Sequence, residues 1–128
     1  MSPRSAEFLE AGTRRLALAR ASIETDPSGA LSAAYYSMLY AARAALSERG
    51  IHARTHAGTW HELRREFVEP GLLDVELVTE AQRVQSEREQ SDYDAWTAPA
   101  EEVRRVIELA DRFLGAVRSA IGDGPPSS

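Results

Sequence analysis

The chain contains no cysteine. That excludes disulfide frameworks, thiolate metal sites and cysteine nucleophiles, and it fits a reducing compartment. Lysine is also absent, so the 15 basic side chains are all arginines. No stretch approaches the roughly 18 successive apolar residues of a membrane span. The opening "MSPRSAEFLE" lacks the charged start and apolar run of a signal peptide. A soluble, cytoplasmic protein with no membrane partner is the expectation. Gly-rich phosphate loops, the Gly-x-Ser-x-Gly elbow and paired glycosidase carboxylates are missing as well, and period-2 alternation is almost absent, which argues against sheets.

What is present suits one domain: 128 residues, 43% of them hydrophobic, enough to bury a core without staples. Residues 1–122 are expected to form it, with 123–128, "DGPPSS", as a disordered tail. Apolar and small residues recur at spacings of three and four, which predicts an all-α, up-and-down bundle of four to five helices. The first helix is expected from about Ser5 to Glu24, with Phe8, Gly12, Leu16, Ala19 and Ile23 inward. The second follows "TDPSGA" with Ser28 as cap, carries Leu31, Tyr35, Met38, Leu39 and Leu46, and ends at Gly50. Thr55 caps a shorter third helix through Phe67, closed by Pro70 and Gly71. The fourth runs from about Leu73 to Ser91; "DYDAWTAP" connects it to a fifth with Thr97 as cap and Pro99 in its first turn, stopped by Gly122.

The net charge of −5 is unevenly placed. Residues 1–68 hold nine Arg against seven acids, residues 69–102 two against ten, and residues 103–128 four against three. A broad basic surface for passive nucleic-acid binding is therefore unexpected, whereas a local arginine site remains open.

The fourth helix offers one. Arg88 lies eleven residues after Leu77, within about 20° of it on the helix wheel, so it points towards the apolar seam. A guanidinium there needs carboxylates, carbonyls or a bound phosphate to satisfy it, and its planar fork suits phosphate. Asp92, at i+4, is the obvious carboxylate, although Arg before Asp is the weaker order for a helix-surface pair. Two readings stay open: a structural ion pair, or an anion receptor. Tyr36 and Tyr40 share a face of the second helix, while Tyr35 belongs with the core-filling Met38 and Leu39 side. His52, His56 and His61 do not have metal-ligand spacing, so no metal site is read from them.

The run "SAAYYSMLYAARAALSERGI", then "THAG", "GLLD", an Arg followed by "xxxDY", and a last amphipathic helix, resembles the small single-domain HEPN proteins of bacteria and archaea. The similarity covers about Ala30 to Val117. It implies a helical bundle that often pairs as a homodimer and is often encoded beside a minimal nucleotidyltransferase, in a toxin–antitoxin-like pair. Active members are metal-independent ribonucleases whose motif is an Arg, four to six residues and a His, two copies meeting across a dimer groove. No cofactor is implied.

By position Arg88 matches the motif arginine and Asp92 its polar companion. The motif histidine is absent: Tyr93, Asp94 and Ala95 stand five to seven residues after Arg88. Cleavage through a ribose 2′-hydroxyl needs one group to take a proton, one to give it, and positive charge on the transition state. A tyrosine with a pKa of about 10 is a poor base at neutral pH. Asp92 could serve, or His56 or His61 from another helix. The resemblance thus implies Arg88, Asp92 and Tyr93 as catalytic residues, and Arg88, Tyr36, Tyr40 and His56 as nucleotide or RNA contacts. The acidity around the site would repel RNA unless arginines such as Arg14, Arg15, Arg64 and Arg65 form the groove walls. The alternative is a non-catalytic helical binding or dimerisation subunit in which Arg88 and Asp92 are structural.

Overall fold

The computed structural model describes residues 1–94 and 98–122, with the side chains of Tyr93 and Asp94 outside that description. The expected cap Thr97 and tail 123–128 also lie outside the described residues. The described residues form five α-helices: α1 Pro3–Ser22, α2 Pro27–Ser47, α3 His56–Leu63 continuing as a π turn Arg64–Val68, α4 Val75–Asp94 and α5 Ala100–Ile121. This is the all-α bundle the periodicity predicts, with no strand among the described residues.

Local chemistry sets the helix ends, in several places differently from expectation. The Ser2 side chain accepts the Ser5 N–H and Pro3 opens α1, two residues early. Asp26, not Ser28, caps α2, taking the Gly29 N–H at 3.0 Å. Pro27 fixes the first helical φ, which moves the cap one residue before it. Thr55 caps α3 through the Gly58 N–H at 2.9 Å, as expected. The π turn closes with the Glu69 N–H on the Arg64 carbonyl and buries Phe67. Asp74 caps α4 through the Leu77 N–H. That helix runs past Ser91, so "DYD" is helical and not connector: Ser91 is buried and its hydroxyl reaches the Ser28 hydroxyl at 3.2 Å, pinning the last turns to α2. Pro99 sits at the cap position of α5 rather than in its first turn, and Gly122, at φ +86°, ends the helix.

Cross-helix contacts fix an antiparallel register. The Ser5 hydroxyl meets the Ala44 carbonyl at 3.0 Å and the Glu48 carboxylate at 2.8 Å, joining the start of α1 to the end of α2. The Ser2 N–H and the Ser5 hydroxyl hold the Glu48 carboxyl below its ordinary value. Thr13–Arg118, Arg20–Asp111 and Glu24–Arg104 step in opposite directions along α1 and α5. Helix α2 is central, touching the other four. At Gly12 an added Cβ would stand 2.9 Å from the Ser37 carbonyl, so only glycine lets α1 approach α2 this closely. Trp60, Tyr35, Phe67 and Phe113 are fully buried, the largest apolar contributions to stability. Leu9 and Leu109 join the expected core. Phe8, expected inside, is only partly buried and stacks on Tyr40.

Candidate functional site

The end of α4 meets the first half of α2 and the start of α3, and Arg88 stands where they converge. Its side chain is 16% exposed, so the wheel argument holds. One terminal nitrogen lies 3.1 Å from the Asp92 carboxylate. The guanidinium carbon sits 5.5 Å from the ring centres of both Tyr35 and Tyr36, cation–π contacts that hold the charge without occupying its N–H groups. Its buried Nε has no hydrogen-bond partner among the described residues. Asp92 is 61% exposed, so solvent screens its pull and the pair alone does not saturate a five-donor fork.

Beneath Arg88 is a chain of hydrogen bonds centred on Tyr35. The Trp60 indole N–H donates to the Tyr35 hydroxyl at 3.3 Å. That oxygen lies 3.3 Å from Gln85 Oε1 and 3.1 Å from His56 Nδ1, and Gln85 Nε2 donates to Glu89 Oε1 at 3.0 Å. The directions follow from what each group can do. A carboxylate only accepts, so the amide nitrogen of Gln85 faces Glu89 and its oxygen faces Tyr35. The Tyr35 proton is then committed to Gln85, and the remaining contact requires the hydrogen on His56 Nδ1. His56 Nε2 is left with its lone pair, the acceptor position of a neutral imidazole. Partial burial, then the nearby Arg43 and Arg88, lower the His56 pKa below its ordinary value and keep that neutral form, opposed weakly by Glu89. Burial raises the Tyr35 pKa, so its hydroxyl stays protonated.

The structure brings together most of the residues the sequence singled out. Arg88 and Asp92 pair, Tyr36 lies against Arg88, and the His56 ring meets Tyr36 edge-on at 5.8 Å. Tyr40 is one ring further along α2, 6.1 Å from Tyr36. Backbone helix continues through Tyr93, whose side chain lies outside the described residues. His61 is exposed on α3. Of the four expected groove arginines only Arg15 stands near, over the Tyr36 and Tyr40 rings. Arg14 pairs with Glu10, Arg65 with Glu62, and Arg64 donates to Gln82 and Thr79. These three are consumed by neighbours within reach on their own or the facing helix.

Gln85, Glu89, Trp60 and the Tyr35 hydroxyl were not legible as site residues. Gln85 did carry a signal, a polar side chain four after Ala81 and seven after Val78 on the stripe that faces the core. Nothing in the sequence indicated that its partners would be Tyr35 and, through it, His56.

A sequence profile described as the HEPN domain matches residues 5–120. The chain is 36% identical over 66 residues to the protein named "Putative toxin MJ0142" of Methanocaldococcus jannaschii, which is 52% of this chain and 45% of that protein. It is 32% identical over 95 residues to a UPF0332 protein of Thermotoga maritima, 73% of this chain and 72% of that one. The match thus spans a little under half the length of the first relative. Among the described residues, no helix is long and apolar enough to cross a membrane.

Proposed function

The chain belongs to the HEPN domain family, and from that premise we propose that the Arg88 site binds a nucleotide or RNA phosphate as the toxin-like member of a pair with a nucleotidyltransferase-type protein. The observation that carries the reading is the unsaturated guanidinium: a mostly buried Arg88 on two tyrosine rings, its Nε without a partner among the described residues, beside the acceptor nitrogen of a neutral histidine. A relative whose name includes the word toxin supports the biological setting.

In the catalytic form of this reading, Arg88 stabilises charge on the phosphorane-like transition state and Asp92 holds its fork in place. His56, from α3, takes the proton of the 2′-hydroxyl that a motif histidine after Arg88 would otherwise serve. Tyr93, five residues beyond Arg88, is the candidate to give a proton to the leaving oxygen, and Tyr36 and Tyr40 contact the base or ribose. A homodimer would place two such sites together.

The test is incubation of purified protein with total RNA in EDTA. Cleavage that disappears in both Arg88→Ala and His56→Ala is the expected result. If the wild type cleaves nothing even at high protein concentration, the catalytic form is wrong, and equilibrium dialysis with mononucleotides decides whether phosphate binding survives.

The formed Arg88–Asp92 pair favours a second reading, a non-catalytic binding or dimerisation subunit in which that pair is structural. It requires Asp92→Asn to lower the melting temperature or disrupt the assembly without touching nucleotide affinity.

A further inference from the structure

Six arginines among the described residues have carboxylate partners: Arg14, Arg20, Arg65, Arg88, Arg104 and Arg105. One face combines arginines that lack such a partner with a series of aromatic rings. Among the described residues, no carboxylate lies within ion-pair distance of Arg4, Arg15, Arg43 or Arg54. Arg4, Arg43 and Arg54 line one depression between α1, α2 and the end of the α2–α3 connector, where Arg43 also donates to the Thr59 hydroxyl, and Arg15 lies further along α1 over the Tyr36 and Tyr40 rings.

Aromatic rings lie between them in series. Arg4 sits over Phe8 at 5.4 Å; Phe8 stacks on Tyr40 with ring centres 6.2 Å apart and planes 28° from parallel; Tyr40 is 6.1 Å from Tyr36; and Tyr36 meets Arg88 at 5.5 Å. Arg15 covers Tyr36 and Tyr40 together. Two open depressions adjoin the series, sharing Arg4 and Phe8. One, of about 360 Å³, is bounded by Tyr40, with Glu7 its acidic residue; the other, of about 410 Å³, is bounded by Arg43, His52 and Arg54. Each falls within the size range that small ligands occupy.

Rings that are partly exposed, interleaved with guanidinium groups that have no carboxylate partner and continuous with a phosphate-type site, match the requirements of a flexible polyanion carrying flat bases. We propose that this α1–α2 face is a track for a single-stranded polynucleotide, with Phe8, Tyr40 and Tyr36 as stacking surfaces and Arg4, Arg15 and Arg43 as phosphate partners. It deepens the reading of the Arg88 site and rests on that reading only for where the strand leads. Unpaired like charge in one place costs self-repulsion, which a bound polyanion relieves. A duplex would fit poorly, because its bases are already stacked on one another.

The test is fluorescence anisotropy with labelled oligo(U) and oligo(dT) of about four and about twelve nucleotides, a span covering common single-strand site sizes, in EDTA at about 50 and about 200 mM salt. The longer strand should bind about tenfold tighter than the shorter, and preference between the two arms assigns the sugar. Arg15→Ala and Arg43→Ala should each reduce the salt slope by about one. Tyr40→Ala should weaken the longer strand about fivefold or more, and Tyr40→Phe should bind it as the wild type does.

Wild-type affinity in the exposed-site variant Arg15→Ala and in Tyr40→Ala overturns the track, whatever Arg88→Ala does. So does a changed sedimentation coefficient with unchanged strand affinity, which would make this face an interface between copies. Conversely, if Arg88→Ala leaves mononucleotide binding and cleavage intact while the track variants lose the longer strand, the track stands and the site reading falls.

Discussion

Two faces of α2 show how differently one helix can be used. Towards α1 it is small-residue packing: Gly12 lies so close to the Ser37 carbonyl and Ala41 that the gap holds no side chain at all. Towards α3 and α4 it carries Tyr35, fully buried yet bonded to Trp60, Gln85 and His56, with Arg88 over its ring. The first face needs only shape. The second keeps five polar groups in or beside the core, where each must find a partner or lose about 1–3 kcal/mol. Apolar residues of similar volume would pack there without that requirement. The contrast marks the Tyr35 side as the part of the bundle built for chemistry.

Arg88→Ala should show the largest separation between the two. Phosphate or RNA binding and any cleavage should fall about a hundredfold or more, the scale for removing one preorganised charge stabiliser. Chemical denaturation should register no more than about 1 kcal/mol, the size of its cation–π contacts. A large stability loss with unchanged binding would erase the distinction.

The reverse variant, Gly12→Val, should cost about 1–3 kcal/mol in urea unfolding by overpacking the α1–α2 seam. Nucleotide affinity per folded molecule should not change. Tyr35→Phe tests the join between the faces. It strands the buried Trp60 N–H, while the part-exposed Gln85 oxygen can turn to water, so about 1–3 kcal/mol of stability should be lost, and activity should drop because His56 no longer has a fixed tautomer. Full activity would show that the hydrogen-bond chain serves the fold alone.

The smallest effect is a pH dependence. His56 titrates below its ordinary 6.5 in the folded chain, so between that lowered value and 6.5 the unfolded chain binds more protons. Stability should therefore rise with pH through that window and be fully present above 6.5. Thermal melts of His56→Gln should lack this rise. Glu87 acts in the opposite sense at lower pH, because burial and Glu102 raise its carboxyl. A window unchanged in His56→Gln would assign the rise to another group.

Much of the site could be read along α4 because helical periodicity is local. Arg88 on the seam and Asp92 one turn on are properties of spacing, and both stand where the wheel puts them. The ends of the helices were less legible. Pro27 displaced the cap from Ser28 to Asp26, and the Ser91–Ser28 contact carried α4 beyond its expected end. Likewise Arg14, Arg64 and Arg65 were expected as groove walls, but neighbouring side chains hold them.

By itself the sequence determined the all-α class and the inward stripe that includes Arg88, because each depends on residues three or four apart. Only the tertiary structure decided that His56 joins Arg88. Tyr35 lies 21 positions from His56 and 50 from Gln85, and no local rule links such residues. Their meeting depends on the antiparallel register of α2 with α4 and on how α3 leaves the connector. The same packing made the long-range ion pairs Arg20–Asp111 and Arg104–Glu24, whereas Arg14–Glu10 and Arg65–Glu62 follow from spacing along one helix.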